Sequence, residues 1–322
     1  MIRFARRRTA LTLLALACAL PATFASAQTP MKVILPVGPG SGVDTIVRAI
    51  QPALAKALGQ PVVIENIAGA GGITGTAALV KAAPDGNTIG VVSNNHVINP
   101  HVFKSMPFDA IADITPISVL GATPFVLVVN PKVPASNVRQ LIDFLKAKPG
   151  AYNYASSGNG TIIHLAGAMF ADQAGVDVKH IPYKGVGPMV TDLIGGQVEM
   201  GVVALPAVQG HLKSGALRAI GVCSKSRAAA APEIPTIAEQ GLPEYDVAGW
   251  FAVVGPARLG AEQVKRIHAA FSAALAMPEV KDAMDKQGNA ISPTTPEAAA
   301  QFFRSELARY GALVKKVGLK PE

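Results

Sequence analysis

Apolar positions along this chain follow two alternating periods. Short apolar runs at 32–35, 62–66 and 89–93 read as strands. Between the first two, Ile46, Ile50, Leu54 and Leu58 recur at helical spacing and predict a helix over 43–58, closed by Gly59. A second helix is predicted over 74–82, stopped by the turn residues Pro84-Asp85-Gly86. The apolar run 125–129 is followed by Pro131 and Pro134, then by Ser136 as the expected N-cap of a helix over 137–146. Strands are predicted at 152–155, 179–182, 199–204 and 217–222. They alternate with helices near 162–173, 188–194 and 207–213. A last apolar strand at 246–254 leads into helices at 261–276, 279–287 and 296–317. This alternation predicts an α/β fold with mainly parallel sheets. The runs near 117–129 and 246–254 are placed to cross between two lobes, with the C-terminal helices returning to the first. Two domains in simple succession fit the pattern almost as well.

Two glycine-rich strand-to-helix junctions stand out. One reads Val37-Gly38-Pro39-Gly40-Ser41-Gly42 before a helix that opens at Val43-Asp44. The other reads Ser156-Ser157-Gly158-Asn159-Gly160 before a helix from Thr161. Glycine allows close backbone approach, and a helix N-terminus offers unpaired N–H groups and partial positive charge. Together they suit an anion, although a plain tight turn has the same residues. Neither a Walker A sequence nor the dinucleotide fingerprint is present, since no Gly-Lys-Ser/Thr follows and the sixth fingerprint position is Val43. A small anion is therefore favoured over a nucleotide. Asp44, in the first helical turn, either meets the helix dipole or orients Ser41. A third glycine-rich turn, 66–75, and Ser93-Asn94-Asn95 after the third strand fall where strand ends converge in a doubly wound sheet.

The first 27 residues read as a signal peptide: Arg3, Arg6, Arg7 and Arg8, an apolar stretch 11–20, and a small-residue cleavage site Ala25-Ser26-Ala27. No later run of about 18 apolar residues occurs to span a membrane. The whole chain carries a net charge of +8; without the four signal arginines it is +4. That charge is scattered, with no basic–aromatic patch, so nucleic acid is not an expected partner. Beyond the signal Cys223 stands alone, which excludes an internal disulfide or a cysteine metal site and suits a buried strand residue. No Gly-x-Ser-x-Gly elbow exists, and His96 and His101 lack the His-Glu-x-x-His spacing. His164, one turn into its helix, is the histidine best placed for a ligand. Trp250-Phe251 either walls a pocket or fills the core.

Five stretches, in this order, resemble the Bug family, the solute-binding proteins of tripartite tricarboxylate transporters: 36–48; 65–75; 156–170 with Gly158-Asn159-Gly160-Thr161-Ile162-Ile163-His164; 180–197 with Ile181-Pro182-Tyr183-Lys184-Gly185; and 235–243 with Pro235-Thr236-Ile237-Ala238-Glu239. The resemblance implies a periplasmic two-lobe Venus flytrap, each lobe a mainly parallel sheet flanked by helices. Lobe I would comprise 28–127 plus 247–322, and lobe II 128–246. It implies ligand contacts from Pro39, Gly40, Ser41 and Asp44, from Ser93 and Asn94, from Ser157, Gly158, Gly160, Thr161 and His164, and from Tyr183, Lys184 and position 204. It implies no cofactor and no metal. The partner would be a membrane permease or a sensor-kinase ectodomain, and the protein a monomer.

Two departures from the family pattern bear on the ligand. Ser41 stands where a second glycine is usual, and Ala204 where an aspartate is usual. Without that carboxylate the pocket is expected to be roomier and poor for an ammonium group. The expected ligand is therefore a non-amino di- or tricarboxylate or an aromatic acid. A periplasmic enzyme acting on a carboxylate, or a sensor component presenting one, are the alternative readings.

Overall fold

The computed structural model describes residues 29–319 and Pro321; the expected signal peptide lies outside the described residues. Strands β1 (Met31–Leu35), β2 (Val62–Asn66) and β3 (Thr88–Ser93) form a parallel trio in the order β2-β1-β3. β9 (Ala248–Pro256) joins β3 antiparallel, and the first part of β4 (Ile114–Val129) joins β9. The two-residue β10 (Ala290–Ile291) caps that edge. A second sheet runs β6 (Lys179–Pro182), β5 (Asn153–Ser156), β7 (Met200–Ala204), then the second part of β4, with β8 (Arg218–Val222) on β4's other side.

β4 is thus shared by both lobes. Up to Pro124 it pairs with β9; from Phe125 it pairs with β7. Proline has no N–H for a ladder, and Pro124 sits where one set of partners gives way to the other. The chain returns through Val247, whose N–H donates to Cys223 O at 2.9 Å before β9 begins.

The helices are α1 (Gly42–Leu58), α2 (Ile73–Val80), α3 (Asn95–Val102), α4 (Val138–Lys146), α5 (Ile162–Ala174), α6 (Val186–Gly195), α7 (Leu205–Lys213), α8 (Ala261–Ala276), α9 (Pro278–Gln287) and α10 (Pro296–Lys316). One core lies on the outer face of the first sheet, where Val33, Ile46, Ile50 and Leu54 meet Phe251, Ile267 and Phe271. The other runs from α3 and α10 on the opposite face through β4 into the second lobe, where Val128, Phe170, Leu193 and Tyr245 are buried. Helix α8 packs on α1, and α10 packs on α3 and β4.

Three local features differ from the expectation. Helix α3 was not foreseen: Asn95, His96, Asn99 and Pro100 hide the apolar period, yet Val97, Ile98 and Val102 are buried. Asn137, not Ser136, caps α4, accepting from Gln140 N–H at 2.9 Å, while Ser136 binds Gln140 Oε1. β4 begins three residues before the run at 117–129, carrying bulges near Pro116 and Val119 that disguise its alternation.

Candidate functional site

The lobes are drawn together around a cleft of about 550 Å³. One wall is the β1–α1 loop and the glycine-rich turn 68–72; the other is the β5–α5 loop and the segment 182–186. Behind it lies an inner chamber of about 60 Å³, reached past Val37, Ser41, Asn95, Ser157 and Val186, which line both.

Each lobe sends a hydroxyl-capped helix to this junction. Ser41 caps α1, its Oγ accepting from Asp44 N–H at 3.2 Å; Thr161 caps α5, its Oγ1 accepting from His164 N–H at 3.2 Å. Ser41 has φ −69°, which any residue adopts, so serine in place of glycine costs the loop nothing and gains the cap. Its neighbour Gly40 has φ +75°, where a side chain would be strained. Asp44 props that loop from behind: its carboxylate accepts from Gly40 N–H (2.9 Å), Arg48 Nε (2.9 Å) and Asn66 Nδ2 (2.9 Å). Burial pushes the Asp44 carboxyl up, but these hydrogen bonds together outweigh it and hold the group below its ordinary range.

The expected site residues fall into four groups, the last of them, Gly160 and His164, in a crevice of its own. Ser41, Ser157, Gly158, Thr161, Tyr183 and Lys184 line the cleft. Ser93, Asn94 and Ala204 line the inner chamber. Pro39 and Gly40 are exposed on the loop, and Asp44 is turned inward as just described. Asn94 is held by the fold: its Nδ2 donates to Tyr310 OH and Ala248 O, and its Oδ1 accepts from Trp250 N–H. The Tyr183 hydroxyl donates to Asp192 at 2.9 Å; burial, then that carboxylate, pushes it up to about 12.

Gly160 and His164 line a separate crevice of about 480 Å³, with Lys104 and His180. His164 Nδ1 accepts from Gly160 N–H, and its ring stacks on His180 with centroids 3.8 Å apart. His180 Nε2 lies 2.6 Å from Ser156 Oγ. Burial, with His164 alongside, lowers His180 to about 3. Trp250 lines the chamber and also belongs to the buried core, where its Nε1 donates to buried Glu306 at 2.8 Å. Phe251 is core.

Asn95, placed at the converging strand ends by its sequence position but not among the expected contacts, bridges the two lobes. From α3 of the first lobe, its Oδ1 accepts the Ile162 N–H at the start of α5 in the second, at 2.8 Å. It occupies one of the unpaired donors of that helix terminus and ties the lobes together. The Asn94-Asn95 pair after β3 was the available signal, but nothing in it separated the structural asparagine from the bridging one.

Two α/β lobes, joined by crossing strands and meeting at paired helix N-termini around one cleft, define a two-lobe binding protein. Residues 46–319 match the family described as tripartite tricarboxylate transporter family receptor, and the chain belongs to that periplasmic solute-binding family. It is 36% identical over 293 residues to protein BugT of Bordetella pertussis, covering 90% of each. It is 31% identical over 292 residues to a UPF0065 protein of Cupriavidus necator, covering 91% of this chain and 88% of the relative. Among solved structures it is similar to the periplasmic binding protein BugD (27% identity, TM-score 0.88, covering 91% of this chain and 99% of BugD). It is equally similar to an R. palustris protein solved with adipate (28%, 0.88, 92% and 99%). MatC from Rhodopseudomonas palustris, solved with bound malate, is close behind (27%, 0.84, 88% and 98%).

Proposed function

We propose that this protein captures a small carboxylate between its lobes and delivers it to the membrane permease of a tripartite tricarboxylate transporter. The observation that carries this reading is the convergence of the Ser41-capped and Thr161-capped helix N-termini, one from each lobe, on a single cleft. Two such termini stabilise an anion only when both lobes reach it, so binding and closure are coupled. The relatives solved with adipate and malate bear the same ligand class. The ligand is a di- or tricarboxylate or an aromatic acid without an ammonium group, because the lining of the cleft and chamber includes no carboxylate. The protein acts as a monomer, divided as 28–127 plus 247–322 and 128–246, and it does not turn its ligand over.

A thermal-shift screen across aliphatic and aromatic acids tests the reading. A ligand at 100 times its Kd adds about 2.7 kcal/mol, or roughly 5 °C for a chain of this size. Stabilisation by aspartate or glutamate alone, or turnover of a bound acid by the purified protein, would overturn it.

A further inference from the structure

The second-lobe wall of the cleft is built on the segment between β5 and α5, where Ser157, Gly158 and Asn159 line the cavity. Its two glycines have φ +133° and +71°, so the segment is pliable and needs support from outside to keep one shape. Two histidines stand behind it. The Gly160 N–H donates to His164 Nδ1 at 3.2 Å, and His180 Nε2 lies 2.6 Å from Ser156 Oγ. Ser156 Oγ in turn accepts the Gly158 N–H at 3.1 Å. One ring therefore holds the start of the segment and the other its end.

The two rings form one body. They lie 3.8 Å apart and within 5° of parallel, and Tyr154 stacks against both, at 4.9 Å from His180 and 6.3 Å from His164. Gly167 of α5 makes room for that tyrosine, since a Cβ there would lie 2.4 Å from its ring. The rings come from β5, β6 and α5, so the support is anchored across the second lobe. Both histidines line the outer crevice, and neither is among the residues that line the cleft. Apolar side chains would fill the same space, so packing alone gives no reason for a ring nitrogen at both ends of the segment.

From this geometry we infer that His164 and His180 are positioning residues for ligand capture: as one stacked unit they hold Ser156–Gly160 in its binding shape from behind, without touching the ligand. Ordering a loose loop at the moment of binding lowers affinity, and a loop already fixed avoids that loss. The inference rests on the carboxylate reading above and adds to it how one wall of the cleft is kept ready.

The test is calorimetric titration, at pH 7.5, of adipate, malate and any tighter acid from the screen above. It compares wild type with His164→Leu, His164→Asn, His180→Phe and His180→Gln. The Asn amide oxygen can replace Nδ1, and the Gln amide can replace Nε2. Leu141→Ala, which opens a cavity in the buried face of α4 in the same lobe, is the control for lost stability alone. His164→Leu and His180→Phe are each expected to weaken binding about tenfold. The Asn and Gln variants should stay within about threefold of wild type, and so should Leu141→Ala, although it melts lower. Wild-type affinity in His164→Leu or His180→Phe overturns the inference and leaves the carboxylate reading intact. So does a loss that neither Asn nor Gln restores, which assigns the effect to ring shape, or an equal loss in Leu141→Ala, which assigns it to stability. A wild type that binds no carboxylate removes both the inference and the reading beneath it.

Discussion

Replacing Gly42 by alanine should separate the stability of the lobes from their ability to close. Gly42 opens α1 in the first lobe, and a Cβ placed on it would lie 2.7 Å from the Ala204 Cβ at the end of β7 in the second. Carbon atoms rest at about 3.5–4.0 Å, so the lobes would have to part by about 1 Å at this point. Neither atom can swing away, because each Cβ is fixed by its own backbone. Overpacking of this kind costs about 1–3 kcal/mol, a loss of roughly 5- to 150-fold in affinity. Within the first lobe alone the change is favourable, since alanine in a helix gains about 0.5–1 kcal/mol over glycine. Gly42→Ala should therefore hold or raise the melting temperature when the lobes are apart, and should weaken carboxylate binding measured by calorimetry. Ala204→Gly in the same chain frees the space and should bring affinity back to within about threefold. Unchanged binding in Gly42→Ala, or no recovery in the double variant, would refute the argument.

Asp44→Ala leaves Gly40 N–H, Asn66 and Arg48 without their shared acceptor; urea unfolding should show a loss of about 2–3 kcal/mol, whereas Arg48→Ala, removing the half-exposed partner, should cost under about 1 kcal/mol. Equal losses would contradict the role given to the carboxylate. Stability should also fall in acid. His96 is lowered to about 4 by burial and His180 to about 3 by burial and His164, against an ordinary 6.5. The unfolded chain therefore takes up protons that the folded chain refuses. The histidine contribution is complete above about pH 6.5 and is lost progressively as pH falls toward 3–4. Melting curves at pH 7.5, 6 and 5 should step downward, more shallowly in His180→Phe; a flat series would rule the mechanism out.

Most elements were legible because their apolar faces are regular. Helix α1 shows its period through Ile46, Ile50 and Leu54 and its end through Gly59, which has φ +68°. Helix α8 ends where its pattern ends. What escaped was decided at long range. α3 is held by burial of Val97, Ile98 and Val102 against α10 and by Asn99 reaching Gly71, none of which has a local signature. The glycine junctions identified the two walls of the cleft but not the depth behind them. His164, with Gly160, lies apart from the other expected contacts. Its position in the helix resembled that of a ligand contact, while its ring is stacked on His180 in the outer crevice.

The shared strand β4 also has a consequence for how the chain assembles in time. The second lobe is one unbroken stretch between the two crossings, whereas the first is split by it. β3 gains its outer neighbour only when Gly90 meets Val254, and α3 is covered only when Phe303 and Tyr310 of α10 arrive. Contacts so far apart in sequence are slow to form. A chain emerging N-terminus first can complete its inserted lobe early but must hold the outer one open until its last helix is made. The interruption that splits the outer lobe therefore also postpones the finished fold to the end of synthesis.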